Sequence, residues 1–224
     1  RIKKLLSYLG DPQCDLDIIH LAGTNGKGST AAILERIYRE AGYKTGLFTS
    51  PHFFHFNERI KVNAKACSTY LLAEITKEIK KAVKKMKIEN YAEPSFFEIV
   101  TAAALKYFKV QETEIVILET GLGGRLDATN IISKPLLSII TNISLEHSQL
   151  LGETIAEITT EKAGIIKENS KVITAAEQKE ALKVIKSKAE EKNAKFINLN
   201  QEYQFIKSSS NLTKNIITLK KKGG

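Results

Sequence analysis

Several signatures are missing from this sequence, and each absence removes a class of function. No run of 18 apolar residues occurs, so no membrane-spanning helix is expected. The opening RIKKLLSYLG is basic, but its apolar run is too short for a secretory signal. It also lacks an initiator Met, so the chain is expected to begin inside a longer gene product. The two cysteines, Cys14 and Cys67, lie far apart and form no CxxC pair, which implies reduced thiols in the cytoplasm rather than a disulfide framework. No residues show zinc-ligand spacing, and there is no nucleic-acid-binding motif, internal repeat or long low-complexity linker.

What is present fits a large α/β domain. Apolar residues make up 42% and charged residues 26% of 224, enough for a substantial core. Lys and Arg number 34 against 25 Asp and Glu, a net charge of +9 that favours anionic partners. Six of those lysines fall in KEIKKAVKKMK, Lys77 to Lys87. Leu72, Ile75, Ile79, Val83 and Met86 mark the opposite side, so this run reads as a solvated helix face, not a nucleic-acid patch.

Short apolar runs alternate with amphipathic stretches. Residues 17–22, 44–50, 114–119, 136–143, 171–176 and 195–200 read as strands. Residues 71–87, 96–109, 153–167 and 177–192 read as helices. So does Ser29 to Ala41, with Ile33, Leu34, Ile37 and Tyr38 expected inward and Gly42 as its stop. The alternation predicts a three-layer P-loop-type α/β domain, its mostly parallel sheet covered by helices. A β-hairpin is expected around Ser208–Asn211.

The strongest motif is HLAGTNGKGST, His20 to Thr30. An apolar strand runs into a Gly-rich turn, a Lys, two hydroxyl residues and a helix, the order that wraps backbone N–H groups around phosphate. Lys27 is placed to reach terminal phosphates, and Ser29 or Thr30 to offer a hydroxyl to Mg²⁺. The spacing departs from GxxxxGK[ST], because Gly28 separates Lys27 from Ser29. GLGG, residues 121–124, lacks the third Gly and following helix of a dinucleotide fingerprint. In ETIAEITTEKAGIIK, Thr154 and Glu157 form a capping box, and Ile155, Ile158, Ile165 and Ile166 form a stripe. The next inward position of that stripe is Lys162, which either packs its stem on the core while the ammonium snorkels out, or is buried for a chemical reason.

GTNGKGST resembles the phosphate loop of the Mur ligase superfamily. With GLFTSPH, NERIKVN, ETGLGGRLDATN, SLEHSQLLG and EKAGIIK in that order, residues 1–200 are similar to folylpolyglutamate synthase/dihydrofolate synthase. Glu146 stands where that family more often has Asp. The resemblance implies a Mur ligase central-domain-like fold and an ATP-dependent carboxylate–amine ligase. It would join L-glutamate to a folate or dihydropteroate carboxylate through an acyl phosphate.

Carried over residue by residue, the resemblance implies nucleotide binding by Asn25, Gly26, Lys27, Gly28, Ser29 and Thr30. One Mg²⁺ would be held by Ser29, Ser50 and Glu119. A second metal, with Mn²⁺ acceptable, would involve His147 and a Lys162 carbamoylated by CO₂. Catalytic roles fall on Lys27, His147 and Lys162. The pterin end of the substrate would lie near Ser95, Phe96, Phe97 and Glu98, and near Leu126, Asp127 and Ala128, under a mobile loop from Thr49 to Arg59. Phe96 and Phe97 also read as plain helix-entry core residues, and Glu119 as a solvated strand-end carboxylate. The family's C-terminal glutamate-binding domain has no counterpart in residues 1–224, so this chain alone is expected not to complete ligation. A monomer in the cytoplasm is expected, with small-molecule partners and neither nucleic acid nor membrane. The alternatives are a Mur-type ligase acting on a cell-wall precursor, and a nucleotide-binding module without catalysis.

Overall fold

The structure is a computed structural model, and it describes residues 1–211 and 215–222. Helix α1 (Ile2–Tyr8) precedes strand β1 (Ile18–Ala22), helix α2 (Lys27–Glu40) and strand β2 (Thr45–Phe48). Strands β3 (Ile60–Val62) and β4 (Lys65–Ala66) lead to helices α3 (Thr69–Ile88) and α4 (Phe96–Val110). Strands β5 (Ile115–Glu119) and β6 (Leu137–Ile140) follow, then helices α5 (Ser148–Leu151) and α6 (Ile155–Ala163). The remainder is β7 (Lys171–Thr174), α7 (Lys179–Glu191), β8 (Lys195–Asn198), α8 (Leu199–Glu202), β9 (Tyr203–Ser210) and β10 (Asn215–Lys221).

The main sheet has the order β4-β3-β2-β5-β1-β6-β7-β8, and its neighbours from β2 to β8 pair in parallel. Strands β3 and β4 add an antiparallel edge. β1 is the turning point: the chain first builds outward to β2, β3 and β4, then returns through β5 and continues to β6, β7 and β8 on the other side. Ligands of open α/β sheets gather at the carboxyl ends of the strands at such a point. Helices α1, α3 and α4 pack on one face beside Ile18, Phe48, Val116 and Leu118, and α6 and α7 continue that face over Ile140 and Val172. On the opposite face α2 packs against Ile19, Leu21, Leu47, Ile115 and Ile117. The expected α/β layering, the parallel strands and the free thiols of Cys14 and Cys67 are all present.

Three expectations need correction. Ile33 and Ile37 of α2 face outward, 61% and 58% exposed, whereas Ala31 and Glu35 are the buried positions. Leu34 and Tyr38 do pack inward as expected, but the buried face is rotated away from Ile33 and Ile37 because Glu35 finds partners inside, where it accepts from Thr45 Oγ1 at 2.7 Å and from Arg39 Nε at 2.9 Å. The stretch 153–167 is not one helix, since α6 ends at Ala163 and Ile165 and Ile166 are buried in the segment beyond it. Finally, Ile60–Val62, directly after the expected 49–59 loop and assigned no element from the sequence, adds a strand to the sheet edge. Strands β9 and β10 pair antiparallel, as the hairpin expectation requires, while residues 212–214 of the connection lie outside the described residues.

A close backbone approach joins the segment after β5 to the end of α6. The Arg125 N–H donates to the Glu161 carbonyl at 2.7 Å, and a Cβ on Gly164 would stand 2.5 Å from both Cα and Cβ of Arg125. No L side chain fits there without moving main chain. Gly164→Ala is therefore expected to cost about 1–3 kcal/mol of stability, as overpacking does. Urea unfolding measures this, and an unchanged midpoint would contradict the approach.

Candidate active site

The loop after β1 is stitched to the segment leaving β6. Gly23 has φ +148°, and a Cβ there would fall 1.9 Å from Thr141 Oγ1, so only glycine permits this contact. The Thr24 hydroxyl donates to the Ser144 carbonyl at 3.1 Å, the Asn25 N–H donates to Asn142 Oδ1 at 2.8 Å, and Thr141 Oγ1 donates to the Asn25 carbonyl at 2.8 Å. These bonds hold the loop open at the start of α2, where the first N–H groups of a 14-residue helix have no partner within the helix. Ser29 is exposed and Thr30 half-exposed on that first turn.

Two ammonium groups converge on one carbonyl. Lys27 Nζ donates to Gly23 O at 2.8 Å and to Thr24 O at 2.9 Å. Lys162 Nζ donates to the same Gly23 O at 2.9 Å and to Glu146 Oε1 at 2.5 Å. Lys162 is 1% exposed, so the snorkelling alternative fails and the inward reading stands. Burial pushes its ammonium down from the ordinary value, Glu146 opposes this, and Lys27 adds a smaller push downward. Two cations beside an open helix N-terminus make a strongly anion-attracting point.

Glu119 closes the other side. It is 4% exposed at the end of β5, and one oxygen accepts the Ser50 N–H at 3.2 Å. Burial raises its carboxyl, while Ser50 and Lys27 pull the other way. It is therefore not a solvated strand-end group. A Cβ placed on Gly28 would lie in contact with both carboxylate oxygens, at 3.8 Å, so the glycine leaves the gap between α2 and Glu119 unfilled. Among the described residues no three His, Cys, Asp or Glu side chains form a metal cage. A cation here would depend on Glu119, the hydroxyls of Ser29 and Ser50, and oxygens of a bound phosphate, a set that fits a hard ion such as Mg²⁺. His147 is exposed at the start of α5, with φ +46°.

Ser95, Phe97, Glu98, Leu126, Asp127 and Ala128 line one cleft of about 320 Å³. Phe96 does not line it; it is exposed and meets Phe56 edge-on at 6.3 Å. Phe97 is half-buried against Phe48, so its core reading and its cleft position are both real. Ser95 and Glu98 are committed to a capping box at α4, with Glu98 also 3.2 Å from Arg1. A second cleft of about 400 Å³, lined by Ser50, Arg59, Phe97 and Asp127 among others, adjoins the first.

Asp127 belongs to a buried relay that the motif reading missed. Its Oδ2 accepts the N–H groups of Gly121 and Leu122, each at 3.0 Å, which folds the GLGG turn around it. Its Oδ1 accepts from the Thr129 hydroxyl at 2.6 Å. That hydroxyl then accepts from His20 Nε2 at 2.8 Å, because its single proton is used. His20 is fully buried, and its Nδ1 has no partner among the described residues. His20 was legible only as the first letter of the phosphate-loop motif, in a strand whose other members are apolar. Glu58 was missed too: its carboxylate accepts the N–H groups of Phe53, Phe54 and His55, folding the 49–59 loop on itself and lowering its pKa to about 2.

Burial, then the nearby Lys167 charge, lowers the His20 pKa from 6.5 to about 3. Between these values only the unfolded chain takes up the proton, so acid favours unfolding by up to about 1.4 kcal/mol per pH unit. His20→Gln keeps an N–H for Thr129 and removes this titration. Its stability relative to wild type is expected to improve as pH falls from 7 to 4 in denaturant titrations. A difference that stays constant with pH would contradict a neutral buried His20.

Comparisons with known proteins identify the family. The Mur ligase middle domain model matches residues 63–223. A dihydrofolate synthase/folylpolyglutamate synthase of Bacillus subtilis is 46% identical over 200 residues, covering 89% of this chain and 46% of that protein. A dihydrofolate synthetase of Saccharomyces cerevisiae is 38% identical, over 84% of this chain and 44% of its own length. Among solved structures, a folylpolyglutamate synthase from Thermotoga maritima superposes with a TM-score of 0.91 at 36% identity, covering 99% of this chain and 51% of that one. An FPGS–AMPPCP–folate complex superposes with a TM-score of 0.93 at 31% identity, covering all of this chain and 55% of its own. This chain thus spans about half the length of these relatives, and it belongs to the Mur ligase middle-domain family.

Proposed function

We propose that this chain is the ATP-binding portion of a ligase that joins L-glutamate to the carboxylate of a folate or dihydropteroate. The observation that carries the reading is the pair of ammonium groups of Lys27 and Lys162 on the Gly23 carbonyl, at an open helix N-terminus and close to Lys27's other neighbour, Glu119. In this reading the loop from Asn25 to Thr30 holds ATP phosphates, and Lys27 leaves its carbonyl partners to pair with them. The substrate carboxylate attacks the terminal phosphorus and ADP departs, leaving an acyl phosphate; the amine of glutamate then displaces inorganic phosphate from it and gives up a proton. Mg²⁺ supplies charge neutralisation on the phosphate oxygens. Ser29, Ser50 and Glu119 would hold one ion, and His147 and Lys162 belong to a second site that would also accept Mn²⁺. The clefts joined by Phe97 and Asp127 suit a flat heterocycle, with an aromatic face and a carboxylate on a fixed turn. Because the chain spans about half the length of these relatives, ligation is proposed for a protein of their full length. A monomer in the cytoplasm fits the reading.

Lys162 is assigned as a carbamate in the working enzyme. Its amine is buried beside the phosphate loop, where burial favours the neutral form that attacks CO₂. The new C–N bond forms as the amine gives up a proton, and the carbamate keeps one N–H for Gly23. Its oxygens would then face Glu146, and two anions side by side call for a cation. In the longer parent, Lys162→Ala is expected to abolish most ligation, with partial return on substituting a short carboxylate. Full activity of Lys162→Ala would remove the assignment.

Lys27→Ala is expected to weaken Mg-ATP binding to this chain by about tenfold or more, with the melting temperature little changed, because a charge-assisted contact is lost while Ala suits the first position of α2. Calorimetry reads this directly, and equal affinity would contradict the phosphate role. A parallel titration with dihydropteroate and with UDP-sugars tests the substrate class; preference for the UDP-sugar would favour the cell-wall reading.

A further inference from the structure

A second anion-attracting feature lies away from the phosphate loop. A cleft of about 670 Å³ opens between α1, the segment 130–134, the end of α6 and helix α7. Six cations line it: Lys3, Arg125, Lys134, Lys167, Lys188 and Lys192. Glu168 is its one acidic lining residue. Part of this charge is answered locally. Arg125 pairs with Glu161 at 2.8 Å, Lys188 with Glu191 at 2.7 Å, and Lys192 with Glu168 at 3.4 Å. Among the described residues Lys3, Lys134 and Lys167 have no ion-pair partner.

Lys167 is the informative one. Its side chain is half-buried, and Nζ donates to a single neutral acceptor, the Asn130 carbonyl, at 3.2 Å. A partly desolvated ammonium with a cation rather than a carboxylate as its charged neighbour is costly unless an anion completes it. The cleft also shares a wall with the proposed substrate cleft: Gly124 and Leu126 line that one, and Arg125 between them lines this one. Arg1 and Lys3 stand in the same relation at the start of α1.

We infer that this cleft binds a small polycarboxylate, an oligo-γ-glutamyl chain, through Lys3, Lys134 and Lys167. The inference rests on the ligase reading for the choice of carboxylates over other oxyanions, since γ-linked glutamates are what that reaction would build. Several carboxylates on one flexible chain match several separated ammonium groups better than a single compact anion does. Oligocarboxylate tails would then be held beside the substrate cleft without occupying the phosphate loop.

The test is calorimetric titration of the 224-residue chain with tri-γ-glutamate, with tripolyphosphate and dihydropteroate in parallel. Lys3 and Lys134 are exposed, so K3E/K134E is expected to melt like wild type. Tri-γ-glutamate should bind wild type, lose about tenfold or more in affinity in K3E/K134E, weaken with added salt, and bind Lys27→Ala normally. Equal affinity in K3E/K134E, or loss of binding in Lys27→Ala, would overturn the inference. So would tripolyphosphate binding that K3E/K134E abolishes while tri-γ-glutamate fails to bind. Absence of tri-γ-glutamate binding with dihydropteroate still bound would overturn this site alone. Absence of both would overturn the ligase reading with it.

Discussion

One buried ammonium, that of Lys162, sets the geometry on which the site depends. It sits at the back of the loop after β1, bonded to the Gly23 carbonyl and to Glu146. Its helix, α6, is locked in turn to the segment after β5 by the Arg125–Glu161 backbone bond. The loops after β1, β5 and β6 thus all meet this side chain and its helix at one sheet edge, in addition to the direct bonds of Thr24, Asn25 and Thr141 between the first and last of them. A charged group in that position requires compensation on every side. Gly23 and Glu146 supply it in this state, and the same position next to Lys27 prepares the point for an anion.

The glycines at the site serve approach rather than flexibility. Gly23 admits Thr141, Gly28 leaves the space in front of Glu119, and Gly164 admits the main chain of Arg125. At Gly23 a hydroxyl, and at Gly164 main chain, stands where a methyl group would be, while at Gly28 a methyl group would sit in contact with the Glu119 carboxylate. The His20–Thr129–Asp127 relay does the equivalent work on the cleft side, because it fixes the carboxylate around which the GLGG turn folds. The phosphate side and the cleft side of the site are thus connected through β1, which carries His20 and ends at Gly23.

Much of this was legible in the sequence, for identifiable reasons. The parallel sheet followed from apolar runs alternating with helical stripes, since strands buried on both faces carry few polar interruptions. Lys162 was legible because a cation breaks an isoleucine stripe. The α2 face was half legible: Leu34 and Tyr38 pack inward, but Ile33 and Ile37 do not, because a buried acid, Glu35, finds its partners only in the fold, where Thr45 lies on a neighbouring strand. His20 and Thr129 meet across 109 residues. No local pattern encodes that contact. Phe96 was grouped with Phe97 by adjacency, yet consecutive helical positions point about 100° apart, and only Phe97 reaches the cleft. The short strand Ile60–Val62 was hidden because its pairing partner, β2, lies in a separate part of the motif.

The central claim is that Lys162 is placed for chemistry and not for packing. The direct test is ¹³C NMR of this chain equilibrated with ¹³C-labelled bicarbonate and Mg-nucleotide. The account requires a carbamate carbon resonance in wild type that disappears in Lys162→Arg and persists in a variant at another lysine, Lys134→Arg. No carbamate signal in wild type, or one that survives Lys162→Arg, would leave Lys162 as a buried structural cation and contradict the account.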